Sequence, residues 1–185
     1  MKNTYFTSYF PLISIILFSV SYGIWTELKT VEVLKQVGVY KGMQEFFSPT
    51  WIQFSIFIVC FLIYFMVFAA LKLIANTLLE LSLLFFTKDS NGESLSKIRM
   101  GSFFYLGGGT LSLAFVHSFY GLLIILILAT LGYFIFFVYK VQNTSTFGGV
   151  IGLVFFLTLS WFTFFISITF VCMRLYNSII GSLPI

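Results

Sequence analysis

The sequence predicts an all-α protein, a polytopic bundle of membrane-spanning helices, on three observations. The chain is 59% hydrophobic with a mean hydropathy of +1.05. Only 9% of its residues are charged, where soluble domains carry about 25%. Those charges stand singly at the ends of apolar runs that match a bilayer in length. Each crossing takes roughly 20 apolar residues, so four or five spans fill the 185 residues. The chain therefore reads as a single membrane-embedded helical domain over 1–185, with no room for a separate soluble catalytic or ligand-binding domain.

The first apolar run covers 9–25, with Tyr5, Phe6, Tyr9, Tyr22 and Trp25 near its two ends as an aromatic belt would place them. The rival reading is a secretory signal peptide cleaved near Ser19-Val20-Ser21. Bulky Tyr22 and Trp25 just beyond favour a retained anchor. Residues 27–50 are the first polar stretch. Leu28, Val31, Leu34 and Val37 recur there at helical spacing among charges of alternating sign, which predicts a short amphipathic helix ended by Gly38. Ser48-Pro49 is a helix start.

From Trp51 to Phe86 the chain is nearly all apolar, roughly 54 Å as one helix, against a hydrocarbon core of about 30 Å. The expected division is a second span over 51–71, closed by Lys72, and an interfacial or protruding helix over 73–86. Lys88 to Arg99 reads as a loop. The run 103–139 is again too long for one crossing. A hairpin near 117–121 splitting it into two spans is preferred, for five transmembrane helices in all. The alternative is four plus a re-entrant segment. The last span covers 147–173.

Five spans place Lys2, Lys72, Lys88, Lys97, Arg99 and Lys140 on one face and Lys29, Lys35, Lys41 and Arg174 on the other. The positive-inside rule then puts the amino terminus in the cytoplasm. The net charge of +4 comes from such scattered anchors and forms no basic patch, so no nucleic-acid partner is expected. Cys60 and Cys172 lie inside apolar runs and read as small hydrophobes.

One constellation of polar residues stands out. Lys72, Asn76 and Glu80 lie at i, i+4, i+8 and would form a polar stripe on a helix. It could line an ion or substrate route, its charges balancing each other. The favoured reading is interfacial, with Lys72 snorkelling and the other two hydrated, because the stripe begins where a bilayer-length span has already ended. Gly108 with Ser112, and Gly148 with Gly152, are small-xxx-small pairs suited to helix packing. His117, the sole histidine, lacks ligand partners at useful spacing, so a turn position is its default. No zincin motif, nucleophile elbow or phosphate loop is present. An enzyme, a cofactor and a metal are therefore not expected.

Five segments together carry a family resemblance: KNTYFTSYFPLI, FAALKLIANTLLELSLLFFTKD, IRMGSFFYLGGGTLSL, FFVYK and LYNSIIGSLPI. They reach across nearly the whole chain, which resembles the YufK-like family of uncharacterised membrane proteins from Bacillus-type bacteria. That resemblance implies a bacterial cell membrane and brings no activity, cofactor or catalytic residue. Two functions are carried forward. The first is a non-enzymatic protein associating in the bilayer with itself or another membrane component; the second is a small transporter or channel component using the Lys72, Asn76, Glu80 stripe.

Overall fold

The computed structural model describes residues 9–87, 98–142 and 145–182, and no strand occurs among them. Six α-helices follow in order: α1 (Phe10–Gln36), α2 (Val39–Gln44), α3 (Pro49–Phe86), α4 (Ser102–Ser112), α5 (Phe119–Val141) and α6 (Phe147–Ser182). Short 3₁₀ turns, Arg99–Gly101 and Leu113–Phe115, flank α4. Of these helices, α1, α3, α5 and α6 are long and apolar enough to cross a membrane. The predicted loop 88–99 falls mostly outside the described residues, as do Lys2, Tyr5 and Phe6.

Local chemistry accounts for the boundaries. Gly38 adopts φ +83°, which only a residue without Cβ takes without strain, and the helix before it stops at Gln36. Pro49 opens α3 at its first turn, as expected, although the Ser48 hydroxyl makes no capping bond. Ser118, in extended conformation, accepts a hydrogen bond from the Gly121 amide at 3.2 Å and so starts α5. Thr146 does the same for α6 through the Gly149 amide at 3.2 Å.

Two expected divisions are absent. The amphipathic segment after Trp25 is not a separate surface helix, since α1 runs through it without a break to Gln36. The stretch 73–86 likewise continues α3 with no break after Lys72, and Ser82 and Leu83 near its end are buried. A helix breaks only where its sequence supplies a Pro, a Gly or a competing side chain, and neither stretch contains a Gly or Pro.

Packing centres on α1. It lies antiparallel to α3, Gly23 against the Phe61 backbone and Val31 clustered with Ile52. On its other side Phe18 and Tyr22 join Leu122 and Ile125 of α5. The arm formed by α4 returns along α5. Gly101 touches Tyr133, Gly108 touches Ala129, and Phe115 reaches Gly121. At the far end Leu83, Ile98, Phe137, Val141, Leu153 and Leu157 close a core shared by α3, α5 and α6.

Small residues set the close approaches. A Cβ on Gly108 would lie 2.9 Å from Ala129 and 3.2 Å from the Phe18 ring, and one on Gly109 3.1 Å from Leu17. In α6 the packed glycines are Gly149, against the Phe86 carbonyl, and Gly152, against the Phe86 ring. Gly148 faces open space. Within the chain the close-packed face of α6 therefore carries 149 and 152, three apart, and Gly148 of the expected Gly148/Gly152 pair lies off that face. Gly152→Leu should press on Phe86 and destabilise the protein by about 1–3 kcal/mol, while Gly148→Leu should cost less than about 0.5 kcal/mol. Thermal unfolding midpoints in detergent check this; equal losses for the two variants would refute the assignment.

Candidate functional site

The Lys72, Asn76, Glu80 stripe does not stay on one face of the bundle. Lys72 is half-buried and turned toward α5, whereas Asn76 and Glu80 are exposed. Four residues turn an α-helix about 40° past a full circle, so eight carry Glu80 about 80° round from Lys72. Among the described residues Lys29 and Glu32 form the one ion pair, at 2.8 Å, so Lys72 and Glu80 do not balance each other.

Lys72 instead meets an aromatic and hydroxyl cluster. Its Nζ lies 5.7 Å from the centroid of the Tyr133 ring. Tyr133 in turn packs against Tyr105 of α4 with centroids 5.4 Å apart. The Tyr105 hydroxyl donates to Thr130 Oγ1 at 3.4 Å, and Thr130 donates to the Leu126 carbonyl at 2.8 Å. A cation over a ring gains about 0.5–2 kcal/mol as water is excluded. The cluster therefore joins α3, α4 and α5 around one positive charge. It contains no nucleophile paired with a base.

Hydroxyl pairs mark the surroundings of α1. Ser21 and Ser112 meet at 2.8 Å, which places Ser112 of the predicted Gly108/Ser112 pair on the α1 contact. Thr26 and Tyr64 meet at 2.9 Å. Each of Ser14, Ser19 and Ser21 also donates to the carbonyl four residues earlier, at 2.7, 2.6 and 3.0 Å, which satisfies the hydroxyl within the helix. His117 is exposed in the turn before α5, and Cys172 is exposed on α6.

Glu27 is the functional candidate that sequence reasoning missed. It is 9% exposed, on the α1 face that Gly23 and Val31 turn toward α3. Assigning it to a polar connecting stretch hid it. The legible signal was the spacing of Gly23, Glu27 and Val31, four apart, which continues the packed face past Trp25. Among the described residues no three of His, Cys, Asp or Glu stand together as metal ligands.

Comparison with known proteins places the chain in a family. The uncharacterized membrane protein YufK of Bacillus subtilis (strain 168) is 48% identical over 185 residues, 100% of both chains. The Family of unknown function (DUF5366) matches residues 27–184, from the last turns of α1 through α6. No solved structure matches. Four helices of membrane-crossing length agree with the relative's description as a membrane protein. The chain is thus a multi-pass membrane protein and belongs to the YufK-like family, Family of unknown function (DUF5366).

Proposed function

We propose that this protein is a non-enzymatic component of the bacterial cell membrane that acts by associating, through the carboxyl-terminal half of α6, with itself or with another membrane protein. One observation carries the reading: every residue from 165 to 181 is exposed. The first half of α6 packs on α3, while the second half leaves the bundle bare. Arg174 and Asn177 stand on this apolar stretch three residues apart, and polar side chains on membrane helices serve as interhelical glue.

In this reading the bundle crosses the membrane five times, the fifth crossing being the arm around α4. Arg99–Gly101, α4 and Leu113–Phe115 form an arm of 3, 11 and 3 residues. Its 3₁₀ turns rise about 2.0 Å per residue and its α-helix 1.5 Å, so it extends roughly 28 Å, close to the core thickness of about 30 Å. The arm runs antiparallel along α5. With a cytoplasmic amino terminus, six of the ten cations face inward. A reporter fused within 88–97 should then be active only in the cytoplasm, and one fused at Glu45 only outside; the reverse pattern would invert the topology.

The transporter alternative needs Lys72 and Glu80 to act as a pair. Their placement favours independent effects instead. Glu80→Ala should cost about 1 kcal/mol or less, as for an exposed charge. Lys72→Ala should cost about 1–2 kcal/mol through lost ring contact and stem packing, and the double variant should show the sum. Unfolding of the purified variants measures this, and rescue of a damaging Glu80→Ala by Lys72→Ala would restore the paired stripe.

Association has a native probe, because Cys172 lies in the bare stretch and Cys60 is buried. Bifunctional maleimide applied to intact membranes should yield a larger product through Cys172, at twice the monomer mass for self-association, and Cys172→Ser should abolish it. Monomer alone, with Cys172 shown to react with a monofunctional maleimide, would remove the proposal.

A further inference from the structure

The face of α6 that packs on the bundle continues, uncovered, into its second half. Leu153 is fully buried in the core with Leu83 of α3 and Phe137 of α5, and Phe156 packs on the same core and on the Phe85 and Phe86 rings. Steps of seven residues from these two run along the helix as two rows, one through Ser160, Ser167, Arg174 and Gly181, the other through Thr163, Phe170 and Asn177. Each step drifts only about 20° round the axis, so Arg174 and Asn177 stay within about 60° of the covered face. Cover ends at Phe164, which is half-buried, and every residue from 165 to 181 is exposed. Off the two rows, positions 161 to 180 are apolar except for Thr169 and Ser178. The polar groups therefore gather on the continuation of an existing helix contact, where lipid does not satisfy them and a neighbouring helix does.

Charge decides what that helix is. Arg174 makes no ion pair among the described residues. Arg174 and Asn177, three apart, are neighbours on the helix surface, and their guanidinium and amide N–H groups suit a carboxylate, which only accepts and which arginine binds with two parallel bonds. A second copy brings no carboxylate to this face. Copies in one membrane share one orientation, so two α6 helices meeting along these rows run parallel and set Arg174 against Arg174. Like charges in that position oppose the contact. We propose that the occupant is a transmembrane helix of a different membrane protein, with an Asp or Glu carboxylate opposite Arg174 and small side chains opposite Ser160 and Ser167. The proposal rests on association through α6 and names the partner that this association takes. Ser160, Thr163 and Ser167 let the two backbones approach, and the ion pair fixes register and direction.

Cys172 is exposed, and two residues carry it about 200° round the helix from Arg174, so a fluorophore there leaves the rows free. The full-length protein labelled at Cys172 is reconstituted in phosphatidylcholine liposomes with synthetic peptides that copy residues 158–182 and carry an acceptor dye. The peptides keep both rows and differ in one charge: Arg174 unchanged, Arg174→Gln or Arg174→Glu. The Glu peptide should reach half-maximal energy transfer at a peptide-to-lipid ratio about fivefold or more below that of the unchanged peptide, with the Gln peptide between them. The full-length protein carrying Arg174→Glu should reverse the order. Equal transfer from all three peptides would mean that lipid phosphate or water answers Arg174, and would overturn the proposal. So would tighter binding of the unchanged peptide, which makes a second copy the occupant, or no transfer from any peptide. Crosslinking through Cys172 in intact membranes separates the two readings: a product at twice the monomer mass keeps association and removes the carboxylate-bearing partner, whereas monomer alone removes both.

Discussion

Polar groups in a bilayer must find partners inside the protein, and α1 is where this constraint bears hardest. It is the least hydropathic of the four long helices and also the most enclosed. Its inner face carries Ser14, Ser19, Ser21, Tyr22, Thr26 and Glu27, groups that lipid cannot satisfy. α3 supplies Tyr64, α4 supplies Ser112, and backbone carbonyls take the Ser14 and Ser19 hydroxyls. α3 and α6, both more apolar than α1, leave much of their length bare. For α3 that is its preference in lipid, where Leu and Phe gain little by leaving hydrocarbon.

Close approach follows from the same constraint. Hydroxyls reach across a helix pair only if the backbones come near, and glycine permits that. Gly23 toward α3, and Gly108 and Gly109 toward α1 and α5, stand beside Thr26–Tyr64 and Ser21–Ser112. Aromatic side chains fill the remaining space: Tyr22 touches Tyr64 at 5.3 Å and Phe68 at 5.4 Å between centroids. Small and large residues therefore alternate across the α1 contacts, and the hydroxyls sit where the backbones are closest.

Glu27 and Lys72 are treated differently. Lys72 has a flexible stem and a ring beneath its ammonium, so the cation is accommodated without a carboxylate. Glu27 has a shorter side chain and no ring is recorded beneath it. A carboxylate gains nothing from the face of a ring, which is itself negative. Lys72 therefore reads as a structural cation.

Composition and the spacing of apolar runs were enough to determine an all-helical membrane protein, the turn near 117, the helix end at Gly38 and the start at Pro49, because each rests on local chemistry or on total apolar length. Family membership was legible too, in segments spread over the chain. The partners of polar residues were not. A period of 3.6 puts Lys72, Asn76 and Glu80 near one another on a helix surface, but the neighbouring helix decides which of them is covered, and α5 covers Lys72 alone. Glu27 looked like a loop residue since charges cluster after it. Only the antiparallel packing of α3 beside the last turns of α1 encloses it, a contact between residues more than thirty positions apart that no local pattern contains.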